Sequence, residues 1–342
     1  MSRPFFSVIM TVYNRAGLMR FALESLRRQT FGDFEVFVAD DGSSDNPAGV
    51  FESFRRPGWN FVRFDGNHGY PYCKNRLLDK VSGDYVTFLD SDDVWLPERL
   101  ARFRAHAIAL PDDGFIFSDC FLEQHGQVLA TMSGGRRDIP HGHLGAWAAV
   151  SNRWLPYVTT NVALKREAVK DAGYYNEKLV HLADTEYFAR VVGKYPVGYI
   201  PEPLAVYRIH EISLTSNWDS CLAENIQIID MTSPPPDVEI PLKDHVLYAQ
   251  AVVYFKKGMG REARECLGQI KNSPIRARIL YPLTFVPEVF LKIPRFLYRK
   301  LRVARLMFMP VARELRDAEN WLNDLERAST PPMETGADRG HS

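Results

Sequence analysis

Tyr85-Val86-Thr87-Phe88-Leu89-Asp90-Ser91-Asp92-Asp93 is an apolar run that delivers three carboxylates into one short loop. β-Branched and aromatic residues of this kind suit a buried strand, whereas clustered acids are costly in a core. The pattern places a strand end at solvent, where the acids can hold a divalent cation and the anion that it neutralises. A plain loop leading into a capped helix is the simpler alternative, because Pro97-Glu98 resembles a first helical turn.

Upstream of this run, short β-rich stretches alternate with helical patterns. Phe6 to Val12 predicts a strand, and Leu18, Phe21, Ala22, Ser25 and Leu26 mark one face of a helix. Phe34 to Val38 predicts a second strand that ends at Ala39-Asp40-Asp41-Gly42-Ser43. A third strand is expected from Asn60 to Phe64 and a helix over 71–80, after which Gly83 turns the chain into the acidic strand. This β-α-β-α-β-α-β order predicts an α/β fold with a Rossmann-like, mainly parallel central sheet flanked by helices. Such sheets bind ligands beyond the carboxyl ends of their strands, where both acidic motifs fall.

Downstream, the pattern predicts a helix over 93–108, a strand over 115–119 and a long loop over 130–155. A strand over 157–164, helices from Lys165 and over Asp184 to Val192, and extended segments at 197–200 and 206–209 follow. The expected organisation is a core domain over 1–213, a helical C-terminal extension over 214–330 broken at Ser233-Pro234-Pro235-Pro236, and a disordered tail over 331–342.

Composition narrows the function. Charged residues form 25% of the 342-residue chain and cancel to a net charge of zero, so no general basic field draws it to nucleic acid. Any anion must be bound locally. Cys73, Cys120, Cys221 and Cys266 are far apart and lack CxxC spacing, which fits a reducing compartment. The apolar run from Phe5 to Val12 leads into Tyr13-Asn14-Arg15, which reads as a strand and not a secretory leader. No stretch reaches the roughly 20 apolar residues that span a bilayer. The expected location is therefore cytoplasmic.

Residues 279–310 mix large apolar side chains with prolines, and six basic residues but no acid lie between Leu291 and Arg305. That mixture suits peripheral contact with anionic lipid at the cytoplasmic face of the membrane, because basic stems snorkel while apolar neighbours enter the interface. A helix packed on the core with its basic side in water accounts for it almost as well. Self-association is compatible with either.

Several residue groups can carry chemistry. Asp40 and Asp41 point to opposite faces if they continue a strand, so one ties the loop and the other faces the crevice. The alternative is an Asx-rich turn that caps the next helix. Asp92 is the preferred cation ligand, with Asp90 orienting a ribose or a metal-bound water; Mg²⁺ and Mn²⁺ suit such hard oxygen donors. Asn67 and Gly69 form a turn from which Lys74 or Arg76 can meet phosphates, although a surface helix looks similar. Asp184 opens a helix, where backbone N–H groups favour a negative charge, and can accept a proton; simple capping is the plain reading. Glu186 is the weaker candidate. His210 can complete a metal's coordination or contact a diphosphate, and the adjacent Arg208 can pair with a carboxylate or phosphate. His141 and His143 have metal-pair spacing, yet with Trp147 and Trp154 nearby their loop reads better as an acceptor-side surface.

The ordered set Ser7 to Arg15, Val38 to Asp45, Asn67 to Gly69 with Lys74 to Arg76, Gly83 to Asp93, and Ala183-Asp184 with Arg190 resembles the inverting family 2 glycosyltransferases of the GT-A fold. It covers about residues 5–213. The resemblance implies that Thr11, Tyr13 and Arg15 lie along a nucleotide pocket and that Asp41 recognises a pyrimidine base. Asn67, Lys74, Asp90 and Ser91 join them on the nucleotide-sugar side. Asp90 and Asp92 match the family's DxD pair, with Asp92 holding Mn²⁺ or Mg²⁺; His210 resembles a histidine that contributes to the metal or diphosphate. Asp184 matches the catalytic base, although the family's usual Glu-Asp is Ala183-Asp184 here. Trp147, Trp154 and Arg208 fall on the acceptor side. The implied activity moves a sugar from a nucleoside-diphosphate sugar, a UDP-hexose above all, to a glycan or lipid-linked acceptor in surface polysaccharide or glycoconjugate synthesis. Two rivals differ in what they need. A sugar nucleotidyltransferase requires a glycine-rich basic loop after the first strand, and Thr11-Val12-Tyr13-Asn14-Arg15 has no glycine. A non-catalytic nucleotide-sugar-binding or scaffold protein needs no base at Asp184.

Overall fold

The computed structural model describes residues 3–150, 155–210, 218–272, 275–285 and 312–329. The first half follows the expected alternation: β1 (Phe6–Val12), α1 (Ala16–Arg27), β2 (Phe34–Asp40), α2 (Pro47–Phe54), β3 (Trp59–Arg63), α3 (Tyr70–Leu78) and β4 (Tyr85–Phe88). β1 lies between β2 and β4, parallel to both, with Val8 opposite Val36 and Thr87. Strand alternation gives each face its own core. Phe6, Val8, Met10 and Val12 pack with Met19, Leu23 and Leu26 of α1, while Ile9 packs with Cys73 and Leu77 of α3.

Beyond β4 come β5 (Val94–Trp95), α4 (Arg99–Ala109), β6 (Phe115–Gln124), β7 (Gln127–Thr131), β8 (Val162–Lys165), α5 (Arg166–Ala172), α6 (Ala183–Val192) and β9 (Val197–Arg208). The sheet has nine strands in the order β3-β2-β1-β4-β8-β6-β9-β5, with β7 paired to β6. β8 runs antiparallel to β4 and to β6, and only β9 restores a parallel pairing. The expected mainly parallel sheet is therefore mixed. A parallel neighbour needs a crossover connection, usually helical; between β7 and β8 the described residues form only 3₁₀ turns, at Ala146–Val150 and Thr159–Asn161.

Three local expectations change as well. The helix expected from residue 93 starts at Arg99, because Val94 and Trp95 pair with Val206 and Ala205. The Trp95 indole N–H donates to the Thr160 carbonyl at 2.8 Å, which fixes that short strand over the core. The extended segments expected at 197–200 and 206–209 merge into one continuous strand, β9, which ends at Arg208, and the strand expected over 157–164 is confined to β8.

The C-terminal region is helical, as expected: α7 (Trp218–Thr232), α8 (Pro236–Lys256), α9 (Gly260–Gly268), α10 (Ile275–Leu283) and α11 (Ala312–Ser329). α8, α9 and α10 share a small core that includes Leu247, Ala251, Tyr254, Leu267 and Leu280. α11 returns to the sheet, where Leu315, Ala318, Leu322 and Leu325 cover Val94, Phe121, Val128 and Val206. Polar contacts fix it there: Arg208 Nη2 donates to Glu326 Oε1 at 3.0 Å and the Val128 N–H to Glu319 Oε1 at 3.0 Å. Among the described residues no helix is long and apolar enough to cross a membrane. Of the segment 279–310, residues 286–310 lie outside the described residues, as do Trp154 and the tail over 331–342. Ile279, Tyr281 and Phe285 are exposed. All four cysteines are buried.

Leu325 is fully buried under this docked helix. Leu325→Ala should cost about 2–5 kcal/mol of unfolding free energy in urea titrations. A cost below about 0.5 kcal/mol, typical of surface sites, would mean that α11 does not pack on the sheet.

Candidate functional site

The site forms at the carboxyl ends of β1, β2 and β4. Asn14 takes a left-handed φ of 50°. Its side-chain oxygen accepts the Ser44 N–H at 2.9 Å, and its own N–H donates to Ser43 Oγ at 2.9 Å. Asp45 then accepts the Ala16 N–H at 2.7 Å. The loops after β1 and β2 are thus laced together, leaving Thr11 half-buried, Tyr13 exposed and Arg15 half-buried at the rim.

The two adjacent aspartates do not divide their roles as expected. Asp40 is buried and accepts the Ser43 N–H at 2.9 Å, so it ties its own loop. Asp41 is also buried, and its two oxygens accept the His68 N–H at 2.8 Å and the Gly69 N–H at 2.9 Å. It binds the Asn67 turn to the end of β2 instead of opening into the crevice. The reason is local: two turns packed against a strand end carry backbone donors that need an acceptor. Asn67 is exposed, with its side-chain oxygen on the Gly69 N–H at 3.1 Å. Gly42 has a φ of +76°, and a Cβ there would sit 2.7 Å from the Gly66 backbone, so this join requires glycine.

In the acidic loop each residue has a distinct setting. Ser91 and Asp93 are buried, and Asp93 accepts the Arg208 N–H at 2.9 Å. Burial pushes the Asp93 carboxyl well above the usual range, and repulsion from Asp92 and Asp90 adds to it. Asp92 is half-buried and pairs with the Arg15 guanidinium. His210 Nε2 lies 3.8 Å from the same Asp92 oxygen and, among the described residues, has no hydrogen-bond partner. Among the described residues no group of three or more His, Cys, Asp or Glu side chains forms a metal cage. The Asp92 carboxylate is nevertheless the kind of donor a hard cation takes, because Mg²⁺-like ions are commonly held by one or two carboxylates and complete their shell with phosphate oxygens and water. His141 and His143 are exposed in their loop.

Asp184 is the second residue of α6. Lys74 Nζ donates to its Oδ1 at 2.7 Å and Thr159 Oγ1 to its Oδ2 at 2.9 Å. Lys74 was expected on the phosphates. It is instead 2% exposed, pointed inward over the Tyr70, Phe88 and Tyr175 rings at 4.9, 5.3 and 5.4 Å. Thr159 carried no sequence signal, since a threonine in a 3₁₀ turn is unremarkable until the fold sets it beside α6. Asp90 feels the charges of both Asp184 and Asp92. Loss of hydration raises its carboxyl, Lys74 opposes the shift, and Asp184 and Asp92 both repel it.

Two acceptor-side expectations resolve differently. Arg208 is buried, 3.0 Å from Glu326 and 3.6 Å from Glu123, and so serves the docking of α11. Trp147 is half-buried against the core that also holds Tyr187 and Phe188 of α6. Glu186 is buried and pairs with Arg190 at 2.8 Å, away from Asp184.

Residues 7–119 match the sequence model of glycosyl transferase family 2. The chain is 33% identical over 137 residues to the GalNAc(5)-diNAcBac-PP-undecaprenol beta-1,3-glucosyltransferase of Campylobacter jejuni, a match that covers 38% of this chain and 43% of that protein. The alignment thus spans less than half of that relative's length. The S. aureus TarS 1–349 structure in complex with UDP superposes with a TM-score of 0.57 at 19% identity, covering 82% of this chain and 85% of that one. The mannosyltransferase PcManGT from Pyrobaculum calidifontis, in complex with GDP-Man and Mn²⁺, gives a TM-score of 0.56 at 17% identity over 96% and 88%. These likenesses fix the fold.

The Lys74–Asp184 contact invites a double-mutant cycle in urea at neutral pH. Lys74→Met alone should cost about 3–5 kcal/mol, as for a buried pair that loses one partner. The double variant Lys74→Met/Asp184→Asn should recover a large part of that loss, with a coupling of at least about 1 kcal/mol. Additive losses would mean that the two charges do not meet.

Proposed function

We propose that this chain, whose residues 7–119 belong to glycosyl transferase family 2, transfers a sugar from a nucleoside-diphosphate sugar to a hydroxyl of a glycan or lipid-linked acceptor. UDP-hexose is the favoured donor, the fold is of the GT-A type, and transfer inverts the anomeric carbon. The observation that carries the reading is an acidic neighbourhood in which Asp90 is repelled by both Asp184 and Asp92 and attracted by Lys74, with Lys74 bonded to Asp184 and His210 beside Asp92. The relative that acts on an undecaprenol-linked glycan supports a lipid-linked acceptor, and the UDP complex of TarS supports a uridine nucleotide.

In this mechanism Asp184 takes the proton of the attacking hydroxyl. Lys74 and Thr159 each occupy one lone pair of its two oxygens, which fixes the carboxylate plane and leaves further lone pairs for the acceptor. Arg15, at the opposite end, supplies fixed positive charge toward the departing diphosphate. Asp92 and His210 would hold Mn²⁺ or Mg²⁺, which supplies charge neutralisation to the leaving group when bound. Thr11, Tyr13, Asn67 and Ser91 border the nucleotide, and Asp41 shapes its base pocket through the Asn67 turn. Residues 1–213 form the catalytic unit and 214–330 the extension. The exposed Ile279, Tyr281 and Phe285 begin the basic, apolar stretch through which the protein meets the cytoplasmic face of a membrane.

A panel of nucleotide sugars, with and without Mn²⁺ or Mg²⁺, tests the reading by release of the nucleoside diphosphate. Asp184→Asn should lower kcat by about 10²–10⁴-fold while donor affinity holds. Asp92→Asn should raise the metal concentration needed for half-maximal rate. Turnover indifferent to Asp184→Asn would refute the base assignment and favour a binding or scaffold role.

A further inference from the structure

α6, which carries Asp184, has no cap of its own: Leu182 at its N-cap makes no side-chain cap hydrogen bond. The turn that leads into it is instead held by Glu224 on α7. One Glu224 oxygen accepts the Val180 N–H at 2.9 Å, and the other accepts the Leu182 N–H at 2.7 Å and the His181 N–H at 3.0 Å. Three consecutive backbone donors that converge on one anion form a concave nest, occupied here by a carboxylate of the same chain. The bonded residues immediately precede Ala183-Asp184.

Glu224 is not needed to dock α7. Ile228 and Ile229 of α7 are fully buried in the same core as Tyr187 and Phe188 of α6, and that apolar contact already joins the two helices. A half-buried carboxylate adds little to it except direction. What Glu224 adds is an anchor for the backbone two residues before Asp184, while Lys74 and Thr159 hold the side chain. Asp184 is thus fixed from both its main chain and its carboxylate.

We infer that Glu224 is a positioning residue for the sugar-transfer reaction, holding the 180–182 turn so that Asp184 meets the acceptor hydroxyl; this rests on the proposed role of Asp184. A misplacement near 1 Å can cost a reaction about 10²-fold, so a turn released by Glu224→Ala should lower kcat by about 10–100-fold. Lys74 and the Asp92 end do not touch Glu224, so the donor KM and UDP affinity should remain at wild-type values. Glu224→Gln, which retains one acceptor oxygen, should restore part of the rate.

The test combines steady-state kinetics, UDP titration and amide hydrogen exchange on the full chain. Faster exchange at 180–182 in Glu224→Ala, with a lower kcat and unchanged UDP affinity, is the expected result. A kcat within about twofold of wild type, less than 0.5 kcal/mol of barrier, would overturn it. So would parallel losses of kcat and UDP affinity, which report general loosening. If Glu224→Ala fails to fold, Glu224→Gln carries the same comparison. A wild-type protein without turnover on any nucleotide sugar would sink the sugar-transfer reading. In that case exchange alone judges the anchor: unchanged exchange at 180–182 would overturn it, and faster exchange would uphold it.

Discussion

The ion pair between Lys74 and Asp184 is the contact on which the rest of the site depends. An ammonium with almost no access to water is tolerable only beside an anion, and a half-buried carboxylate gains from having its charge matched. Lys74 comes from α3 in the parallel half of the sheet, and Asp184 from α6, which follows the antiparallel β8. The pair therefore bridges the two halves of a mixed sheet. The aromatic wall of Tyr70, Phe88 and Tyr175 excludes water around it and strengthens the attraction.

Asp90 feels the charges of this pair and of Asp92 alike, and His210 lies beside Asp92. The compensations in this acidic neighbourhood are specific: Arg15 for Asp92, a backbone N–H for Asp93, Lys74 for Asp90. The remaining imbalance is what a cation would relieve. The loops that frame this end are set by carboxylates used as backbone acceptors, with Asp40, Asp41 and Asp45 each closing a turn. Much of the acidic character of the site is thus spent on holding its own walls.

What the sequence made legible was whatever depended on short range. β1 and β4 follow from continuous apolar runs, the acidic loop from three carboxylates after one of them, and Asp184 from its place at a helix start. The errors share a cause. A lysine within Tyr72-Cys73-Lys74-Asn75-Arg76 looks like any surface lysine; its burial is decided by a partner 110 residues away. Arg208 likewise turns to Glu326, 118 residues on, and not to a substrate. The direction of β8 was equally hidden, because strand polarity depends on the connection that feeds it and the long loop after β7 gave no period to read.

In the proposed mechanism Asp92 with His210, and Asp184, serve one bound donor from opposite sides. A crystal structure with UDP-hexose and Mn²⁺ addresses it most directly. The account predicts a cation bonded to Asp92 and His210, the diphosphate on that cation, and the Asp184 carboxylate on the opposite face of the anomeric carbon. A nucleotide bound elsewhere, or Asp184 on the same side as the diphosphate, would contradict it.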